Sequence, residues 1–208
     1  MKEKKTPKSP RQGVKLGQGR ETTLRRRKAY RNSALTVLIL TNGIKAEKQY
    51  FDALRKQAWG NPFHVSVKNC APTALVEFGM AEKSNAGYDQ VWCVCDVDAF
   101  DVREAVQLAR ECGIGMALSQ PCFEVWLILH KKDFRKSAHH AKEVEAELSR
   151  LLPRWDKSTL RMEDFWDGIE DAIRRAKALG EPPKNNPSTA VWEVMEALKA
   201  SAEEPSSA

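Results

Sequence analysis

No apolar run in these 208 residues is long enough to cross a bilayer; the longest, around residues 121–129, is interrupted by Glu124. The N-terminus reads Met-Lys-Glu-Lys-Lys without the apolar core and cleavage site of a secretory signal, so a cytoplasmic protein without membrane association is expected. Cysteines number five (Cys70, Cys93, Cys95, Cys112, Cys122), an odd count without C-x-x-C spacing, which argues against a disulfide framework or a zinc site. No G-x-x-x-x-G-K followed by Ser or Thr is present, so any ATP-driven step belongs to a partner. Internal repeats are absent too.

What is present divides by charge. Residues 1–33 carry twelve Lys/Arg against two Glu, a balance of +10, which leaves −4 for residues 34–208 of the overall +6. That segment has Pro, Gly and Gln and no apolar period, the composition of a disordered tail. It is read either as an attachment to nucleic acid, with Arg25, Arg26, Arg27, Lys28 and Arg31 nearest the folded body, or as a solvated tail that aids solubility.

From residue 34 apolar runs and amphipathic stretches alternate. LTVLIL at 35–40, the alternating Phe63, Val65 and Val67, residues 90–95 and IGMALS at 114–119 read as strands. Helices are expected at 46–58, at 71–83 with Pro72 in the first turn, at 102–111 with Gly113 as terminator, and over CFEVWLIL behind Pro121. Four β-α units in succession predict an α/β fold, a parallel sheet of about four strands flanked by helices, over residues 34–130. Residues 131–200 read as a helical extension packed on the same domain, with helices at 141–152 and 161–179 and a last one capped by Ser188. Residues 201–208 read as a frayed tail.

Open α/β sheets bind ligands at the carboxyl ends of their strands. There the third strand ends in Asp96 and Asp98, spaced to point the same way. Crowded carboxylates raise one another's pKa and call for a divalent cation or a proton; the alternative is that the pair caps the following helix. Glu47 falls just after the first strand and Glu124 just after the fourth. Glu124 has only apolar neighbours, so it is either ligated at a site or satisfied by the amides of its own helix. His139 and His140 read as a solvated face, His130 as a cation at a helix C-terminus, and the six tryptophans as core or interface.

These residues resemble the RloB family: TNGIKAEKQYFDAL, YDQVWCVCDVDAF, ALSQPCFEVWLILH and the late NPST preceded by Asn186, in order across residues 34–198. The resemblance implies a Toprim-like domain, the metal-binding α/β module of topoisomerases, primases and OLD-type nucleases. It further implies a bound Mg2+ or Mn2+, an RloA-like ATPase partner and a place in restriction or abortive-infection loci. By that resemblance Asp96 and Asp98 hold metal, with Glu47 and Glu124 as further ligands or catalytic acids. Gly43, Ser119, Pro121, Asn186, Ser188 and Thr189 then support the site, and Lys184 offers a charge to a phosphate. The sequence departs from the family's first motif, E-G-x-x-T-E, at two positions: Asn42 replaces the leading Glu and Ala46 the Thr. An amide can ligate a cation through oxygen but carries no negative charge and shuttles no proton.

Three functions are consistent with these residues: a Mg2+-dependent nuclease of a phage-defence system, acting on DNA or RNA and possibly on tRNA; a degenerate Toprim module that binds nucleic acid without cutting it; and an adaptor that regulates its ATPase.

Overall fold

Val37–Thr41 (β1) is buried at all five positions, and that two-sided burial places it inside the sheet rather than at its edge. The computed structural model describes residues 35–57, 59, 62–97 and 101–203. In chain order they form β1, α1 (Ala46–Lys56), β2 (Phe63–Val67), α2 (Pro72–Ala86), β3 (Gln90–Asp96), α3 (Arg103–Cys112) and β4 (Gly115–Gln120). Then follow α4 (Glu124–Leu129), α5 (Ala141–Leu151), two 3-10 turns (Met162–Asp164 and Trp166–Gly168), α6 (Ile169–Leu179), β5 (Ser188–Thr189) and α7 (Val191–Glu203). The basic residues Arg25, Arg26, Arg27, Lys28 and Arg31, and Asp98, lie outside the described residues.

The sheet order is β2-β1-β3-β4-β5. The first three pairings are parallel, as the β-α alternation predicts, and β4 pairs with β5 antiparallel. Strand alternation sorts the side chains into two cores. Val37, Ile39, Val94 and Ala117 face a cluster shared with α1, α4, α5, α6 and α7, whereas Leu38, Leu40, Cys93, Cys95 and Leu118 face α2 and α3. Cys93 and Cys95 therefore act as small apolar side chains on one strand face, and burial pushes their thiols up, Cys93 to about 12. Gly113 ends α3 in the left-handed region at φ 63°, which a side chain rarely adopts.

Three local readings are corrected. Ser188 does not cap the last helix: it and Thr189 form a fifth strand within the helical extension, just after the 181–187 segment that reads as a loop, and the Thr189 hydroxyl instead accepts the Val191 N–H at 3.3 Å. The expected helix over 161–179 begins only at Ile169. Gly168 lies so close to the His130 carbonyl that a Cβ there would meet its oxygen at 2.3 Å, and the chain reaches this contact through 3-10 turns. His130 is no cation. It is buried, its Nδ1–H donates to the Phe165 carbonyl at 2.7 Å and its Nε2 accepts the Tyr50 hydroxyl at 3.1 Å. Burial takes its pKa down to about 3, so the ring is a neutral strut between α1, α4 and the 3-10 turns. No helix among the described residues is long and apolar enough to cross a membrane.

Candidate functional site

Because β1, β3 and β4 run parallel, their carboxyl ends share one rim, and the register decides what stands along it. Asp96 pairs with Ser119, and Ser119 with Thr189. Asp96 lies two residues after Val94 and so faces the same side of the sheet, toward α1 and α4. Its carboxylate accepts the Phe123 N–H at 2.8 Å, which ties the entrance of α4 to the end of β3. Asp96 therefore does not cap the helix that follows it; α3 starts at Arg103, whose backbone N–H donates to the Asp101 carboxylate at 3.1 Å.

Glu47 stands in the first turn of α1 and is 4% exposed. Its carboxylate folds back over Gly43, where a Cβ would lie 1.9 Å from Oε1 and 2.1 Å from Oε2. Glycine leaves the room that this carboxylate occupies, and a side chain at 43 would push the flexible end of Glu47 away from its place. Thr41 at the end of β1 shapes the same turn, its hydroxyl donating to the Gly43 carbonyl at 2.9 Å.

Glu124 opens α4 and is 1% exposed. Neither of its carboxylate oxygens receives an aligned hydrogen bond, so it does not cap its own helix. Its cationic partner among the described residues is the Lys157 ammonium, 2.9 Å from Oε1, which acts as a counter-charge and also meets Glu145 at 2.8 Å. The segment carrying Lys157 is held to α1 by Gln49, which accepts the Leu160 N–H at 2.8 Å and donates to the Lys157 carbonyl at 3.4 Å.

The three acids act on one another. Burial raises the Glu47 carboxyl above its ordinary value and the Glu124 charge raises it further, against its own backbone N–H and the more distant Lys157. Burial, then the charges of Glu47 and Glu124, hold Asp96 well above the carboxylate range, despite the Phe123 N–H and Lys157. Lys157 is drawn down by desolvation, but Glu124 and Glu145 outweigh this and keep it charged. Three carboxylates from α1, β3 and α4 thus share one ammonium.

The other expected residues fall into place around this group or away from it. Asn42 is half-buried just past β1, its backbone N–H donating to the Val94 carbonyl at 3.3 Å. The Ser119 and Thr189 hydroxyls bond each other at 2.8 Å behind Asp96. The Asn186 amide pairs with both backbone groups of Ala138, at 2.9 and 3.1 Å, and the Ser188 hydroxyl donates to the Asn185 carbonyl at 2.6 Å. Pro121 follows a cis peptide bond and precedes α4 by three residues. Lys184 is 80% exposed and lies 3.8 Å from Glu181; the cation that acts on the acids is Lys157. Lys157 escaped the sequence reading because it lies in a patternless segment. The isolation of Glu124 demands a cationic partner, but the sequence does not say which of 34 Lys/Arg supplies it.

Among the described residues no three His, Cys, Asp or Glu side chains form a ready-made metal-ligating group. The donor chemistry nevertheless suits a hard divalent cation: all three acids offer carboxylate oxygen, and the oxygens of Glu124 are buried without an aligned donor. A family model described as RloB-like protein matches residues 37–198. No curated protein and no solved structure gives a match.

Proposed function

The chain belongs to the RloB-like protein family, and from that premise we propose that it is a Toprim-like, Mg2+- or Mn2+-dependent nuclease component of a phage-defence system, acting on DNA or RNA with an RloA-like ATPase. The observation that carries this reading is the charge imbalance at the strand rim: three mutually repelling carboxylates against one ammonium. Such a group is stable with protons or with a divalent cation, and a phosphodiester-cleaving site uses the second. Asp96, Glu47 and Glu124 would hold the cation, joined by Asp98, and a bound ion would stabilise negative charge developing on a phosphate oxygen.

The chain's own residues supply the rest. With Asn42 in the leading position, Glu47 is the acid left beside β1 to take up or release a proton, and its raised pKa suits that work. Gly43 fixes where its carboxylate stands. Lys131, Arg135, Lys136 and Lys142, exposed and without an acidic partner among the described residues, offer the folded body phosphate contacts besides those of the basic tail.

Thermal unfolding of the full chain with Mg2+ or Mn2+ tests the reading. A cation at about 100 times its Kd adds about 2.7 kcal/mol to the native state. That stabilisation is expected in the wild type and lost in Glu124→Gln, with oligonucleotide cleavage appearing when the ATPase is added. Absence of both the stabilisation and the cleavage overturns it. Gly43→Ala sharpens the test: only the flexible end of Glu47 has to move, so the metal-free protein keeps its stability to within about 1 kcal/mol, yet its response to metal falls.

Asn42 favours a second reading, a module that binds nucleic acid or its ATPase without cutting. Asn42→Glu separates the two: cleavage gained only in this variant supports the second reading, and cleavage already present in the wild type rejects it.

A further inference from the structure

The Lys157 ammonium stands 2.9 Å from one oxygen of a carboxylate that is 1% exposed, where no aligned hydrogen bond fixes it. At 2.8 Å it already touches a second acid, Glu145, whose side chain is 35% exposed. The backbone on either side of it is anchored to Gln49 on α1, so the side chain can leave Glu124 without any movement of the segment that carries it. A doubly charged ion on either oxygen of Glu124 would lie within a few ångström of this ammonium in a poorly screened setting, and the two cations would repel.

We infer that Lys157 is the resident cation of the acid group and competes with the divalent ion for Glu124, withdrawing to Glu145 when the ion binds. Lys157 thereby sets which cations the site accepts. A monovalent ion, no more charged than the ammonium and without its tether, does not displace it; a divalent ion that also recruits Asp96 and Glu47 does. This inference rests on the proposed metal-dependent function.

Two substitutions in the full chain, followed by calorimetric titration with Mn2+, give opposite signs. Lys157→Met removes the competitor and is expected to tighten Mn2+ binding roughly tenfold, an ordinary size for coupling between two ligands. Glu145→Gln removes the acid that receives the ammonium and is expected to weaken Mn2+ binding several-fold, at a partly exposed position where folding is not at stake. Unchanged or weaker binding in Lys157→Met, or unchanged or tighter binding in Glu145→Gln, overturns the inference; if Lys157→Met does not fold, Glu145→Gln decides alone. Asp96→Asn is the control. Wild-type binding that Asp96→Asn abolishes, with no gain in Lys157→Met, sinks the competition and leaves the metal site standing. No Mn2+ binding by the wild type sinks both.

Discussion

Asp96→Asn is expected to reduce the proposed cleavage by at least about a hundredfold, the scale on which removal of one preorganised electrostatic group is felt, while making the metal-free protein more stable at neutral pH. The same charge causes both effects. Burial and the charges of Glu47 and Glu124 hold the native Asp96 carboxyl well above its unfolded value of 3.8. Below that value both states carry the proton and ionisation has no effect on stability. As pH rises past it the unfolded chain releases its proton first, so stability falls until the native carboxyl also ionises. Asparagine has no such proton to lose and still offers an oxygen to the Phe123 N–H. Unfolding midpoints in a chelator across pH 4–8 should therefore show the variant gaining on the wild type as pH rises, and adding Mg2+ should reverse the order. A gap between the two proteins that does not vary with pH contradicts the account.

Trp126→Ala should cost about 3–5 kcal/mol, the usual penalty for emptying a buried aromatic site, and lower the unfolding midpoint by roughly 10 °C. Trp126 is 0% exposed and meets Tyr50 and His130 edge-on, with ring centroids 6.3 and 5.1 Å away. It lies on the six-residue α4, two positions after Glu124, so the cavity loosens the element that presents the buried acid. Urea or thermal unfolding measures the loss, and a change below about 1 kcal/mol would mean that α4 is held by something other than this aromatic cluster.

The sheet was legible because its strands are short apolar runs separated by amphipathic helices, and four parallel strands follow from that alternation alone. β5 was not legible. Ser188 and Thr189 have no apolar pattern, and only the distant partners Ser119 and Gln120 make a strand of them. The 161–168 stretch misled for a related reason: Phe165 and Ile169 keep helical spacing, while the contact between Gly168 and the His130 carbonyl, which the sequence does not contain, breaks the helix. At the rim, chemical type and place in the β-α units single out Asp96, Glu47 and Glu124, three acids that are close enough to act on one another. Their partners were not, because the identity of a counter-charge such as Lys157 depends on how a later loop packs. His130 shows the limit most plainly: adjacency to a helix end suggested a cation, and the packing of Tyr50 and Phe165 around it dictates a neutral ring.

The two-residue β5 has a consequence for synthesis. The Ser119 and Thr189 hydroxyls that join it to β4 are 70 residues apart. While the chain emerges from the ribosome, the outer flank of β4 stays bare until those late residues have been made, and an uncovered strand flank is a template for pairing with other polypeptides. The acid-bearing rim is thus finished only after the helices that follow β4 have been translated, which delays the covering of that flank until the chain is nearly complete.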